Sequence, residues 1–166
     1  MPAQRPQQAH RRLDPACRRG VGLVELMVAM TLVALVATVA IPRMLELRRK
    51  AMRAEPMPNL RSIGVAERAW FAAQEHWIAA GPNPALPVDD QPRMFDRTRE
   101  DWKPLGWYPE KEVRCSYRAV VLYGGTRARA DAFCDLDHDQ HLAIIRYEIP
   151  SDDSPGTFID LYPERY

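Results

Sequence analysis

Glu25 is the one ionisable side chain in residues 21–41, VGLVELMVAMTLVALVATVAI, where 17 of 21 positions are Ala, Val, Ile, Leu or Met. A carboxylate in such a run costs on the order of 2.5–3.5 kcal/mol at the centre of a bilayer and less near its edge, so it calls for a partner. No cation lies at helical spacing within the run, and Arg18 and Arg19 reach Glu25 only by snorkelling along the interface. An unimportant interfacial Glu is one reading. The other is a partner supplied by a second chain or by a newly made amino terminus, which makes the chemistry ion pairing in assembly and not catalysis.

A second group of acids lies in CDLDHDQH, where Asp135, Asp137 and Asp139 alternate beside His138 and His141. Alternating carboxylates can surround Ca²⁺. The Gly at the sharp turn and the distant Glu of a full calcium loop are missing. A solvated turn in which Asp accepts backbone N–H groups is the competing reading. Zinc would need a further ligand that the sequence does not show. Ser116, His138 and Asp139 match no catalytic pattern, and there is no Gly-rich phosphate loop, nucleophile elbow or metalloprotease motif. The expectation is a non-enzyme with no cofactor, Ca²⁺ at Asp135, Asp137 and Asp139 being the alternative.

The elements that hold these residues follow from three compositional zones. Residues 1–20 carry five Arg against one acid, Asp14, and have no apolar face. Residues 21–41 would make roughly 31 Å of helix, close to one bilayer core. A secretory signal would be shorter in its apolar part and would end in a cleavage site. A buried core helix of this length would show a polar face. Residues 42–166 are mixed in character, with most of the chain's 15 Pro. Five basic residues flank the apolar run on each side, so charge alone does not orient it.

Arg18-Arg19-Gly20, then Val21-Gly22-Leu23-Val24-Glu25-Leu26-Met27-Val28, then Ile41-Pro42, resembles the type IV pilins and pseudopilins over residues 17–45. The resemblance implies a basic leader, residues 1–20, removed by a prepilin peptidase between Gly20 and Val21, with methylation of the new amine. It implies that Glu25 pairs with the Val21 amine of a neighbouring subunit, and that Pro42 closes the apolar stretch. Val21 and Gly22 stand where the family usually has Phe and often Thr.

Loss of the leader would leave 146 residues, 18 basic and 21 acidic, a mildly acidic chain with no bulk attraction to nucleic acid. It would also remove Cys17 and leave Cys115 and Cys134. Two free thiols are one possibility. The other is the disulfide that pins the C-terminal region in many pilins, which this pair resembles.

The remainder reads as α+β. Helix is expected to continue past Pro42, with an interruption at Glu55-Pro56-Met57-Pro58. From Asn59 an amphipathic stretch, with Ile63, Trp70 and Trp77 recurring every seven residues, predicts a helix up to Gly81-Pro82, packed on its own sheet. The N-terminal helix is thus assigned to 21–80, a Pro-rich loop to 81–111, and an antiparallel sheet to 112–166. The last two make up a globular head, 81–166. Strands are expected at 113–123, 132–136, 141–149 and 157–162, with a hairpin at Gly124-Gly125.

The resemblance implies a filament subunit held in a bacterial inner membrane as precursor, its head in the periplasm, then in a surface pilus or periplasmic pseudopilus. The first expectation is a pilus subunit for adhesion, motility or attachment. A pseudopilin of type II secretion is the alternative. A DNA-uptake pilin and a single-span anchored binding protein rank below them. The partners are other pilin or pseudopilin subunits and the peptidase, with no nucleic acid.

Overall fold

The computed structural model describes residues 21–152 and 154–166. The leader, Gly20 and Cys17 lie outside the described residues. The chain divides into two units at Pro42 and Arg43, each described by itself.

In the first unit helix α1 (Leu23–Arg53) begins, rich in Leu, Met and Ala, which favour helix. Pro42 lies inside α1, and helical geometry persists through it. No residue of α1 is buried, and Leu23, Val33, Leu35 and Val36 are each more than 60% exposed. Its most apolar stretch has a mean hydropathy of 2.4, long and apolar enough to cross a membrane. Thr31 donates its hydroxyl to the carbonyls of Met27 and Val28, and Thr38 donates to Ala34, at 2.8–2.9 Å. These side chains satisfy their own polarity, which suits a helix in an apolar medium.

In the second unit α1 ends at Arg53, where the N–H groups of Ala54 and Glu55 bond to the carbonyls of Ala51 and Met52. Helix α2 (Pro56–Gln74) starts with Pro, whose missing N–H costs nothing at the first helical position. The break expected at Glu55-Pro56 is present. Pro56, Leu60, Ile63, Gly64 and Glu67 form the buried stripe of α2 at helical spacing.

The helix stops at Gln74, short of the expected Ala80. Glu75 takes a left-handed conformation (φ 58°), and its N–H caps Phe71 O at 2.8 Å. The chain then doubles back, and Trp77 stacks on Phe71 with ring centroids 4.3 Å apart. Trp77 is therefore buried, but not as a rung of α2. The seven-residue seam of Ile63, Trp70 and Trp77 is corrected to a stripe of Leu60, Ile63, Gly64 and Glu67.

Five antiparallel strands follow in spatial order β1 (Ala80–Asn83), β2 (Ser116–Leu122), β3 (Arg127–Cys134), β4 (Ala143–Ile149) and β5 (Thr157–Asp160). The expected sheet thus gains a strand, β1, taken from residues assigned to helix and loop. Tyr117, Ala119, Ala130, Ala132, Ile145 and Tyr147 point from one face into the core, where Leu60 and Ile63 of α2 meet them. The small residues of β3 let the helix approach closely. Gly64 completes the fit: a Cβ there would stand 2.5 Å from the Tyr147 ring. Gly124 (φ 65°) and Gly125 (φ 98°) supply the left-handed turn between β2 and β3.

The Pro-rich segment packs down through its aromatics. Phe95, Trp102 and Trp107 form a cluster with centroids 5.1–5.6 Å apart, and Trp102 Nε1 donates to Gly81 O at 2.9 Å.

Candidate assembly segment

Gly22 is the residue before α1, and Glu25 is the third residue of the helix. Glu25 Oε2 accepts the Gly22 N–H at 2.8 Å. This is half of a capping box: the acid reaches back to an N–H that the helix leaves unpaired. The acid also lies at the positive end of the helix dipole. The sequence reading looked for a cation and missed this backbone donor. The signal was present as an acid three residues after the helix cap. No ion pair to Glu25 occurs among the described residues. Val21, the expected new terminus, is the next residue outward and 77% exposed.

The second expected site is brought together. Oxygens of Asp135, Asp137 and Asp139 lie within 4.8 Å of one another. The turn uses most of them internally. Asp135 is buried, and its two oxygens accept the N–H groups of Asp139 and Gln140 at 3.2 and 3.1 Å. Asp139 accepts the N–H of His141 at 2.8 Å, which holds its carboxyl below the usual range. Burial first, then the charge of Asp139, pushes the Asp137 carboxyl up, partly offset by Arg49. His138 and Gln140 adopt left-handed conformations (φ 62° and 66°), which fixes the turn.

Cys115 and Cys134 are disulfide-bonded and fully buried. Ser116 pairs with Phe133, so the bridge ties the start of β2 to the end of β3.

Residues 15–41 match the prokaryotic N-terminal methylation motif. The chain is similar to the type IV pilins. A type IV major pilin protein, PilA of Myxococcus xanthus (strain DK1622), is 23% identical over 111 residues, 67% of the pilin-like chain. The match spans 41% of that relative's length. No solved structure matches the pilin-like chain. Its long apolar helix and C-terminal antiparallel sheet are the α+β arrangement expected from the sequence pattern.

Two features escaped the sequence reading altogether. Glu67 is fully buried in α2, where desolvation pushes its carboxyl up to about 7. Its Oε2 accepts the Ile78 N–H at 3.3 Å. Asp131, also fully buried, sits among three arginines: Arg118 of β2, Arg129 of its own strand and Arg146 of β4. Glu67 lies in a stretch read only for its apolar seam, and Asp131 lies just before the strand expected at 132–136.

Proposed function

We propose that this chain is a structural subunit of a type IV pilus or pilus-like filament, matured by a prepilin peptidase and assembled through its N-terminal helix. The observation that carries the proposal is a helix with no buried residue, whose apolar run over residues 23–41 holds a single acid, Glu25, at its start. Such a surface is stable in a bilayer before assembly, and against other copies of the helix afterwards. Adhesion, motility or surface attachment is the role proposed for the filament, and type II secretion is the second reading, by a periplasmic pseudopilus.

Glu25 is proposed to leave the Gly22 N–H, or to share it, and to pair with the Val21 amine of a neighbouring subunit. Its carboxylate is already held one residue from the terminus that cleavage after Gly20 would create. Pro42 marks the end of the assembly stretch. The turn at Asp135, Asp137 and Asp139 is proposed to be structural, and the protein to act without catalysis or a cofactor. The test is immunogold electron microscopy of sheared material with an antibody to residues 81–166. Labelled filaments support the pilus reading, and label confined to the cell envelope supports the pseudopilus.

A further inference from the structure

The sheet has a second face, opposite α2. Arg118 of β2, Asp131 of β3 and Arg146 of β4 are direct cross-strand partners on it. Arg129 and Arg127 lie on the same face of β3 at the two-residue period of a strand. Asp131 is wholly buried beneath these side chains. Arg118 Nη2 meets its Oδ2 at 2.5 Å, Arg129 Nε lies 2.8 Å from Oδ1, and Arg146 Nε lies 3.7 Å from Oδ1.

One carboxylate cannot offset three guanidiniums. Glu148, opposite Arg129, is the other acid on the face, and Arg127 is a fourth cation. The face therefore carries four positive charges against two negative ones. The Nε atoms of Arg118 and Arg146 are buried without a hydrogen-bond acceptor among the described residues, so it is the outer guanidinium nitrogens that face solvent. Arg118 and Arg146 keep about a third of their side chains exposed. Arg118 also lies over the Phe133 ring, 4.8 Å from its centroid, which fixes the guanidinium in place. Asp131 thus holds a set of arginines spread over the sheet, with positive charge in excess and two of the side chains a third exposed.

The rest of the unit has the opposite sign. Residues 43–166 contain 18 basic and 20 acidic residues, so outside this face 14 basic residues stand against 18 acidic ones. A nucleic acid would be repelled by that surround. A second copy of the chain supplies the required carboxylates at matched charge, and Arg forks pair well with carboxylates. We infer that the Arg118–Arg129–Arg146 face of one subunit docks on the acidic surface of a second copy of this chain. The contact is heterologous, one patch on a different patch, the kind that builds open helical filaments. This inference rests on the filament reading and adds to it a contact made by the sheet.

The test uses the full-length chain, expressed as a mixture of ¹⁵N-labelled and unlabelled copies and recovered as sheared filaments. Arg127→Lys and Arg146→Lys keep the positive charges and leave Arg118 and Arg129 on Asp131, while providing amines for a zero-length carbodiimide. Cross-links from these two positions to Asp or Glu, joining peptides of different isotope content, are expected. They should fall at least about fivefold when 0.5 M NaCl is present during docking, since that salt shortens the screening length below 5 Å. A second variant, Arg127→Glu, touches no atom of the Asp131 cluster and should lower filament yield in a salt-dependent way. Filaments that form without mixed-isotope cross-links from this face would overturn the inference and leave the filament reading standing. Absence of filaments from the unsubstituted chain, in sheared material and in the envelope alike, would overturn both.

Discussion

Glu25 Oε2 accepts a hydrogen bond from the Gly22 N–H at 2.8 Å, within its own chain. The acid is therefore partnered before any assembly occurs. The proposed transfer to an amine on another subunit would then be an exchange of partners for Oε2. The local bond needs only an acceptor oxygen, whereas an ion pair with an amine needs the negative charge.

Glu25→Gln separates these roles, because the amide oxygen still accepts from Gly22 while the charge is lost. Glu25→Gln and Glu25→Ala should both lower filament yield by about tenfold or more, the size expected for losing a charge-assisted bond. Both should be shortened at the N-terminus as usual. Quantitative blotting of sheared and membrane fractions checks this. Full assembly of Glu25→Gln would reduce Glu25 to a helix cap.

The Cys115–Cys134 disulfide closes a loop with a sequence separation of 19. Replacing both cysteines by Ala should cost about 3 kcal/mol by loop-closure entropy. Denaturant unfolding of the oxidised and substituted chains measures the difference. The sequence identified the pair through its resemblance to pilins. The register that sets the two residues opposite each other comes from β2 and β3.

Glu67 gives stability a definite pH dependence. Its carboxyl titrates near 7 when folded and near 4.5 when unfolded. Between those values the folded chain holds a proton that the unfolded chain has released. Stability from this group is thus full below pH 4.5 and is lost as pH rises through 7. The loss amounts to roughly 3 kcal/mol, at about 1.4 kcal/mol per pH unit. Glu67→Gln should remove this decline and leave the chain more stable than the unsubstituted one at pH 8. Unfolding midpoints at pH 5 and pH 8 decide it.

Much of this was legible, and the rest had physical reasons to be hidden. The apolar run, Glu25 and the break at Pro56 are properties of local sequence, and α1 and α2 begin or end where they point. The end of α2 was misplaced because Ala72, Ala73 and Ala79 favour helix. The left-handed turn at Glu75 is selected by the stacking of Trp77 on Phe71, a contact that local propensity does not contain. The strand β1 was hidden for a related reason: Gly81-Pro82 reads as a terminator, yet pairing with β2 makes it an edge strand, where Pro is tolerated. The Arg cluster on Asp131 needs three strands in register before it exists.

The Asp135–Asp139 turn separates a structural from an ion-binding role. Both Asp135 oxygens already hold backbone N–H groups, so added Ca²⁺ should leave the melting temperature unchanged. Asp137→Asn should raise it at neutral pH, because burial and the neighbouring acids disfavour the Asp137 charge. A calcium-dependent rise, abolished by Asp137→Asn, would assign the cluster to the cation. Thermal melts with and without chelator distinguish the two.

The central claim is a processed, polymerising helix. It is tested most directly by quantitative mass spectrometry of the N-terminal peptide in sheared filaments and in membranes. The account predicts an abundant peptide that starts at Val21 in the sheared fraction, with a Val21 start confined to the membrane fraction pointing to a pseudopilin. A chain that starts ahead of Gly20 in every fraction would contradict it and leave a plain membrane anchor.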